Sequence, residues 1–499
     1  MTSPHVASRP AHLVAAFTLA GALVTPSHAV RLDPDGRGQA LIYPYFTARR
    51  LINDNPFVTA FTVINSDSSP KAVRVRFFEG KAGAQILDFN LFLGAGDVWT
   101  AGIVGVGTGG GIFSADNSCT YPPIGRNAAN AISFKALYQN DGFGDSLDRT
   151  LEGFFEIVEM GRIDPASALG QSVTHNQNFS SPNASVPSCV NLPTGPAEPG
   201  GMSRPVGGLS GSASLINVNE GTDFTFDGIA LSQWSDKVQW SPTGNFEPNT
   251  ASVSPPVSTV LQSREDGDVM VVSRWNAGYQ ALSAILMTER IVNQYSVEPL
   301  IKAATDWIVT LPTKRFHVAS TVADKTPFLD RLTTGPTGSA IRAEPASFLY
   351  FDREGQTPGD EICFLGPCGT YLPYVSTTLP YMANGGVTPT GLVLGGANRI
   401  LYQSGGLNSA WINGWAELRF ADDDFRRLIA PPGASKVINT STGDVISATA
   451  TVTYFGLPVV GFAVESYSTT GLPGVNPNVI SNYGGSFVHR YQRRMKIVP

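Results

Sequence analysis

Histidine, cysteine and charge are all scarce in this chain, and each shortage narrows what it can do. Six histidines serve 499 residues, and three of them, His5, His12 and His28, fall within the first 29. Beyond that stretch only His175, His317 and His489 are left to act as a general base or a metal ligand. Charged residues make up 15% of the chain and the net charge is −6, so no broad basic footprint exists for nucleic acid or an anionic membrane. The clearest apolar run, residues 13–24, has 12 residues, short of the roughly 20 that span a bilayer. No G-x-S-x-G elbow is present: Gly208-Leu209-Ser210-Gly211-Ser212 comes close but ends in serine.

That short apolar run has a different use. It follows a polar start carrying Arg9 and precedes Thr25-Pro26-Ser27-His28-Ala29, which places small residues at the −3 and −1 positions of a cleavage site. Residues 1–29 therefore read as a secretory signal peptide, with 470 residues remaining and a charge of −7 after the loss of Arg9. The remaining chain is expected to lack a transmembrane segment. Export implies an oxidising compartment, in which the four cysteines, Cys119, Cys189, Cys363 and Cys368, are expected to pair. Three connectivities are open. Cys363 and Cys368 enclose a Gly-Pro turn, which favours that pair and leaves Cys119 with Cys189.

Glycine (52) and proline (36) are too abundant for a mostly helical protein. Between Ala40 and Ile103 five apolar, β-branched segments succeed one another, separated by turn residues. In Ala72-Val73-Arg74-Val75-Arg76-Phe77-Phe78 the arginines alternate with apolar residues, the period-2 mark of a half-buried strand. Further strands are expected near 307–318, 415–420, 448–455 and 459–467. Helical spacing predicts amphipathic helices over 146–163 and 279–295, and 167–209 reads as a long polar excursion. The expected fold is mainly β: antiparallel sandwich lobes, immunoglobulin-like or jelly-roll-like, with a few short helices and long loops. The cut between an N-terminal lobe (30–200) and a second lobe (201–499) falls in the excursion, unless C-terminal strands return to complete the first sheet.

Candidate chemistry is sparse. Gly105-Val106-Gly107-Thr108-Gly109-Gly110 matches G-x-G-x-x-G but lacks the strand–loop–helix context that binds a nucleotide. Calcium needs several oxygens on a flexible turn, and Asp33 with Asp35, and Asp141 with Asp145, supply carboxylates around glycines. Ordinary Asp-Gly turns use the same residues. Acidic groups at Asp352, Glu354, Asp360 and Glu361, and at Asp422 to Asp424, could face a sugar across a cleft as a glycosidase requires. Aromatic–proline clusters at Tyr43-Pro44-Tyr45-Phe46, Tyr371-Leu372-Pro373-Tyr374 and Leu379-Pro380-Tyr381 suit either core packing or contact with a glycan or another protein. The run from His489 to Lys496 is locally basic and reads as a solvated tail.

Three phrases carry a resemblance. Residues 32–39 leading into Leu41-Ile42-Tyr43-Pro44-Tyr45-Phe46-Thr47, residues 305–316 (TDWIVTLPTKRF), and residues 482–490 (NYGGSFVHR) together are similar to a family of exported proteobacterial proteins of unknown function. The resemblance implies a Gram-negative source and a periplasmic or extracellular home, and it brings no catalytic residues. The expectation is a non-catalytic structural or adhesive protein of the cell surface or matrix, meeting a surface glycan or another extracellular protein. A secreted hydrolase acting on a polysaccharide or ester, and a periplasmic ligand- or calcium-binding protein, are the alternatives.

Overall fold

The computed structural model describes residues 28–51, 55–135, 141–175, 186–265, 267–329, 331–334, 340–357, 370–381, 393–400, 412–420, 426–468 and 482–499. Most of the expected signal segment, and Cys363 with Cys368, lie outside the described residues. Half of the residues are in strands, so the mainly β expectation holds.

All five strands expected between Ala40 and Ile103 form: Ala40–Thr47, Val58–Asn65, Lys71–Glu79, Gln85–Leu93 and Val98–Val106. They divide between two antiparallel sheets that face each other as a sandwich. One orders its strands as Arg31–Leu32, Ile229–Ser232, Ala40–Thr47, Glu152–Ile163, Lys71–Glu79, Gln85–Leu93 and Cys119–Tyr121, and the other centres on Val58–Asn65 and Val98–Val106. Phe155 is the hub between them. Its ring stacks on Tyr43 (4.3 Å between centroids) and Phe77 (5.1 Å) from its own sheet and meets Phe61 (4.6 Å) from the opposite one. Such ring pairs add about 0.5–1.5 kcal/mol each beyond the area they bury. Strand pairing groups everything up to Ser232 with these N-terminal sheets, because Ser212–Asn217 and Thr222–Asp227 pair beside Val58–Asn65.

The remaining strands wrap around this sandwich. Val257–Gln262, Val269–Arg274, Ser435–Asn439 and Val445–Phe455 form a sheet whose apolar face, with helix Gly278–Leu286, packs on Val30, Ala40, Ile42 and Val158 from the outside of the first sandwich. A four-stranded sheet (Ser376–Pro380, Ala304–Thr310, Val460–Ser468, Asn482–Val488) is apolar on both faces. Ile308, Phe462 and Val464 join the sandwich core, while Trp307, Val309 and Ala463 pack against the sheet containing Arg290–Ser296 and Asn413–Arg419.

Two helix expectations need correction. Residues 146–163 hold only a short 3-10 turn, Leu147–Leu151, and then the strand Glu152–Ile163. That strand is central, with Phe155 and Ile157 in the sandwich core and Phe154, Val158 and Met160 in packing on its other side. Burial of both faces removes the period-2 signal, and Glu156 and Glu159, buried among partners, imitate the polar stripe of a helix. Helix Gly278–Leu286 stops midway through the second expected helix, where the β-branched Ile291-Val292 enter the strand Arg290–Ser296.

Candidate functional site

The strand Lys71–Glu79 explains how the most unusual site arises. Val73, Val75 and Phe77 point into the sandwich core, so Arg74, Arg76 and Phe78 occupy the opposite face. That face was expected to meet water. Instead all three side chains are fully buried: residues 241–250 cross over the two arginines, and Phe78 packs with Phe154 and Val375. Arg76 donates to the carbonyls of Pro248 (2.7 Å) and Asn245 (2.6 Å) and to the Gln85 side chain; Arg74 donates to the carbonyls of Ser241 (2.5 Å) and Pro242 (2.7 Å) and pairs with Asp88. Burial and the neighbouring Arg76 lower the Arg74 pKa to about 10. Glu156, across the sheet from Arg76, accepts from the Thr250 amide (3.2 Å) and hydroxyl through one oxygen, while its other oxygen has no hydrogen bond among the described residues.

Into this covered face comes Arg315, on the one-turn helix Lys314–His317 that follows the strand Ala304–Thr310. Its guanidinium carbon lies 3.8 Å from the centre of the Phe78 ring, 4.4 Å from Phe316 and 4.9 Å from Phe246. Nε and Nη1 find no hydrogen-bond partner among the described residues, and Nη2 stops 4.0 Å short of Glu156. Burial, partly offset by Glu156 and reinforced by the like charge of Arg76, brings its pKa down to about 10. A guanidinium with unmet donors in a dry setting is costly, and cation–π contact compensates only part of that cost. Arg315 also lines a pocket of about 520 Å³ whose other walls include Gly83, Phe246, Tyr279, Phe316 and Val322. Lys325 braces the far wall, donating to the carbonyls of Ala319 (2.9 Å) and Val322 (3.1 Å).

The histidines are tied into the framework. His489 Nε2 donates to the Ile308 carbonyl (3.0 Å) and Nδ1 accepts from Asn293 (3.1 Å). Burial lowers its pKa to about 4, so the ring is neutral at pH 7. His317, also lowered to about 4 by burial, places Nε2 2.8 Å from Ser283 Oγ. That is the spacing of a nucleophile and its base. However, Ser283 donates to Thr313 (2.9 Å) and is completely buried, so its oxygen is neither activated by the imidazole nor reachable by a substrate. His175 faces Asp97 at 3.2 Å, and Ser118 donates to that same carboxylate (3.2 Å) rather than to the imidazole, the reverse of a triad.

The acids proposed for calcium have other tasks. Asp33 accepts from the Asp35 amide (3.0 Å) and the Arg37 amide (3.1 Å) through one oxygen and from Ser232 through the other. Asp141 holds Arg149 with both oxygens (2.9 and 2.6 Å). No group of three or more His, Cys, Asp or Glu able to hold a metal occurs among the described residues, and the structure does not bring Asp35 or Asp145 into one. Asp352 accepts from the amides of Glu354 (3.0 Å) and Gln356 (2.7 Å), a turn, while Asp360, Glu361 and Asp422 to Asp424 lie outside the described residues.

Cys119 and Cys189 form a disulfide. The glycine motif is a hairpin: Val106 pairs with Gly109, and Gly107, at φ +58°, makes the turn. The aromatic–proline clusters serve the core, since Tyr43, Tyr45 and Phe46 are buried and Tyr374 and Tyr381 nearly so. The basic C-terminal run is not a tail but the strands Arg490–Gln492 and Met495–Val498. There Arg493 donates to the Ile285 carbonyl (2.7 Å) and Arg494 pairs with Glu289 (2.7 Å).

Sequence reasoning missed the Arg315 pocket. Its parts come from residues 78, 83, 246, 279 and 315, and no local spacing links them. The one available clue was that Arg315 stands in an apolar and aromatic stretch with no acid within four residues. No family model, curated protein or solved structure matches the chain.

Proposed function

We propose that the chain is an exported, non-catalytic structural or adhesive protein of the bacterial cell surface or extracellular matrix. The observation that carries this reading is the sealed Ser283–His317 pair: among the described residues it alone has nucleophile–base spacing, and it is buried where helices Gly278–Leu286 and Lys314–His317 meet, its hydroxyl committed to Thr313. Elsewhere His489 and the acids singled out at Asp33, Asp141 and Asp352 hold loops and strands in place. Export is supported by the signal-like segment and by a disulfide spanning 70 residues. Val30, the first residue after the expected cleavage, is buried; its amide donates to Val257 (2.8 Å) and its carbonyl accepts from Thr259 (2.8 Å).

Expression of the full chain in a Gram-negative host, followed by fractionation and N-terminal sequencing, tests the address. The expected result is a product beginning at Val30, found outside the inner membrane. An uncleaved cytoplasmic product would overturn it. A panel of chromogenic esters and polysaccharides tests the chemistry, and turnover that follows the purified protein would return the hydrolase reading.

A further inference from the structure

We propose that the pocket at Arg315 binds a small carboxylate carried on an apolar body, an aromatic acid being its simplest form. This goes beyond the structural or adhesive reading and does not depend on where the protein resides.

Charge comes first. Arg315 Nε and Nη1 are sealed and find no hydrogen-bond partner among the described residues, which leaves Nη2 to meet a ligand; Glu156 lies 4.0 Å from it, with one oxygen held by Thr250. A nearby guanidinium, Arg76, gives its hydrogen bonds to uncharged carbonyls and an amide, while Glu156, Asp88 and Glu247 offset part of its charge. The Arg315 side chain is nine-tenths buried, which keeps water from screening its charge. A carboxylate matches a guanidinium in charge and planar geometry better than other small anions of the same charge.

Shape and polarity then select the body of the ligand. The pocket, at about 520 Å³, falls within the range that encloses small molecules. Phe246 and Phe316 flank the guanidinium, with Ala319 and Val322 on the far side, and Gln85 and Asp141, two of the polar residues in the lining, are already engaged by Arg76 and Arg149. A ligand rich in hydroxyls would leave them unpaired, whereas a ring face would find aromatic and aliphatic contact.

Calorimetry with the purified, oxidised full chain decides the matter, using phenylacetate, its uncharged isostere phenylacetamide, acetate and glucuronate. Phenylacetate is expected to bind one to one, with the amide and acetate each at least tenfold weaker. Arg315→Met, which keeps the stem and removes the charge, should abolish phenylacetate binding. Phe246→Ala, at a half-exposed rim position, should weaken it at least threefold without disturbing the core. Absence of saturable phenylacetate binding, equal binding of the amide, or unchanged binding by Arg315→Met would overturn the proposal. Glucuronate binding as tightly as phenylacetate would overturn its apolar half. Should Arg315→Met fail to fold, the acid–amide comparison and Phe246→Ala still decide.

Discussion

The hydroxyl of Thr310 donates to the carbonyl of Pro44 at 2.7 Å, joining two residues 266 positions apart in sequence. Pro44 lies mid-strand in the sandwich, and Thr310 ends the strand that runs up to Arg315. The same hydroxyl oxygen lies 2.9 Å from Ser376 Oγ, so one buried side chain serves three strands. The three sequence phrases that carry the family resemblance meet along this line, because His489 of the third bonds to Ile308 of the second.

Thr310→Val keeps the volume and removes the donor. It leaves a buried carbonyl and the Ser376 hydroxyl short of a partner, which should cost about 1–3 kcal/mol of unfolding free energy. Urea denaturation of the oxidised protein measures it, and a loss below about 0.5 kcal/mol would mean that water replaces the hydroxyl.

Glu152 is a fully buried acid with four hydrogen-bond donors around it. It accepts from Tyr45 (2.8 Å), from Arg49 (2.8 Å), and from the amides of Ala397 (3.0 Å) and Asn398 (2.9 Å), so it ties the sandwich to a loop 245 residues away. Glu152→Gln preserves size but turns an NH2 group toward donors and strips Arg49 of a charge partner. The expected loss is about 3 kcal/mol, the scale of breaking a buried ion pair. A midpoint unchanged in chemical denaturation would show that Asp148, also paired with Arg49 (2.6 Å), suffices.

The buried histidines make the protein sensitive to mild acid. His489 titrates near 4 in the folded chain against an ordinary value of 6.5, so between those limits the unfolded chain takes up a proton that the folded one refuses. Its stabilising effect is complete above pH 6.5 and is lost as pH falls toward 4. His317 acts in the same direction, while Asp306, raised to about 6 by burial, acts oppositely over pH 6 to 3.8. His489→Gln retains a donor for Ile308 and removes the titration. Comparing unfolding at pH 7.5 and 5, the variant should lose less than the parent, by up to about 2 kcal/mol from a 1.5-unit span. Equal losses would show that His489 is not held neutral.

Legibility followed burial. The five strands from Ala40 to Val106 were readable because turn residues separate them, and the fold class followed. The strand Glu152–Ile163 was not, because a strand covered on both sides carries no alternation and its acids are neutralised by residues far along the chain. The same distance hid the fate of Arg74 and Arg76. Their spacing marked a strand face correctly, but nothing nearby announced that residues 241–250 would supply carbonyls in place of water. Cys119 with Cys189 could be favoured from spacing; what the bridge pins could not.

That bridge yields the last prediction. Cys119 sits on the edge strand Cys119–Tyr121, beside Gln85–Leu93, and Cys189 follows the helix Ala168–Val173, its amide donating to the Ser172 carbonyl (3.1 Å). Closing 70 residues restricts the unfolded chain by about 4 kcal/mol in the loop-entropy picture. Cys119→Ser with Cys189→Ser should therefore lower stability by about 2–4 kcal/mol. The native strand order should survive, because the small cluster beneath the bridge also contains Phe92, Met160, Ile163 and Val173, none of which depends on the sulfurs. Protease digestion locates the effect: cleavage should rise first within 164–209, leaving the sandwich core intact. Cleavage spreading at once through the strands between Ala40 and Glu79 would instead make the disulfide a condition for the sandwich itself.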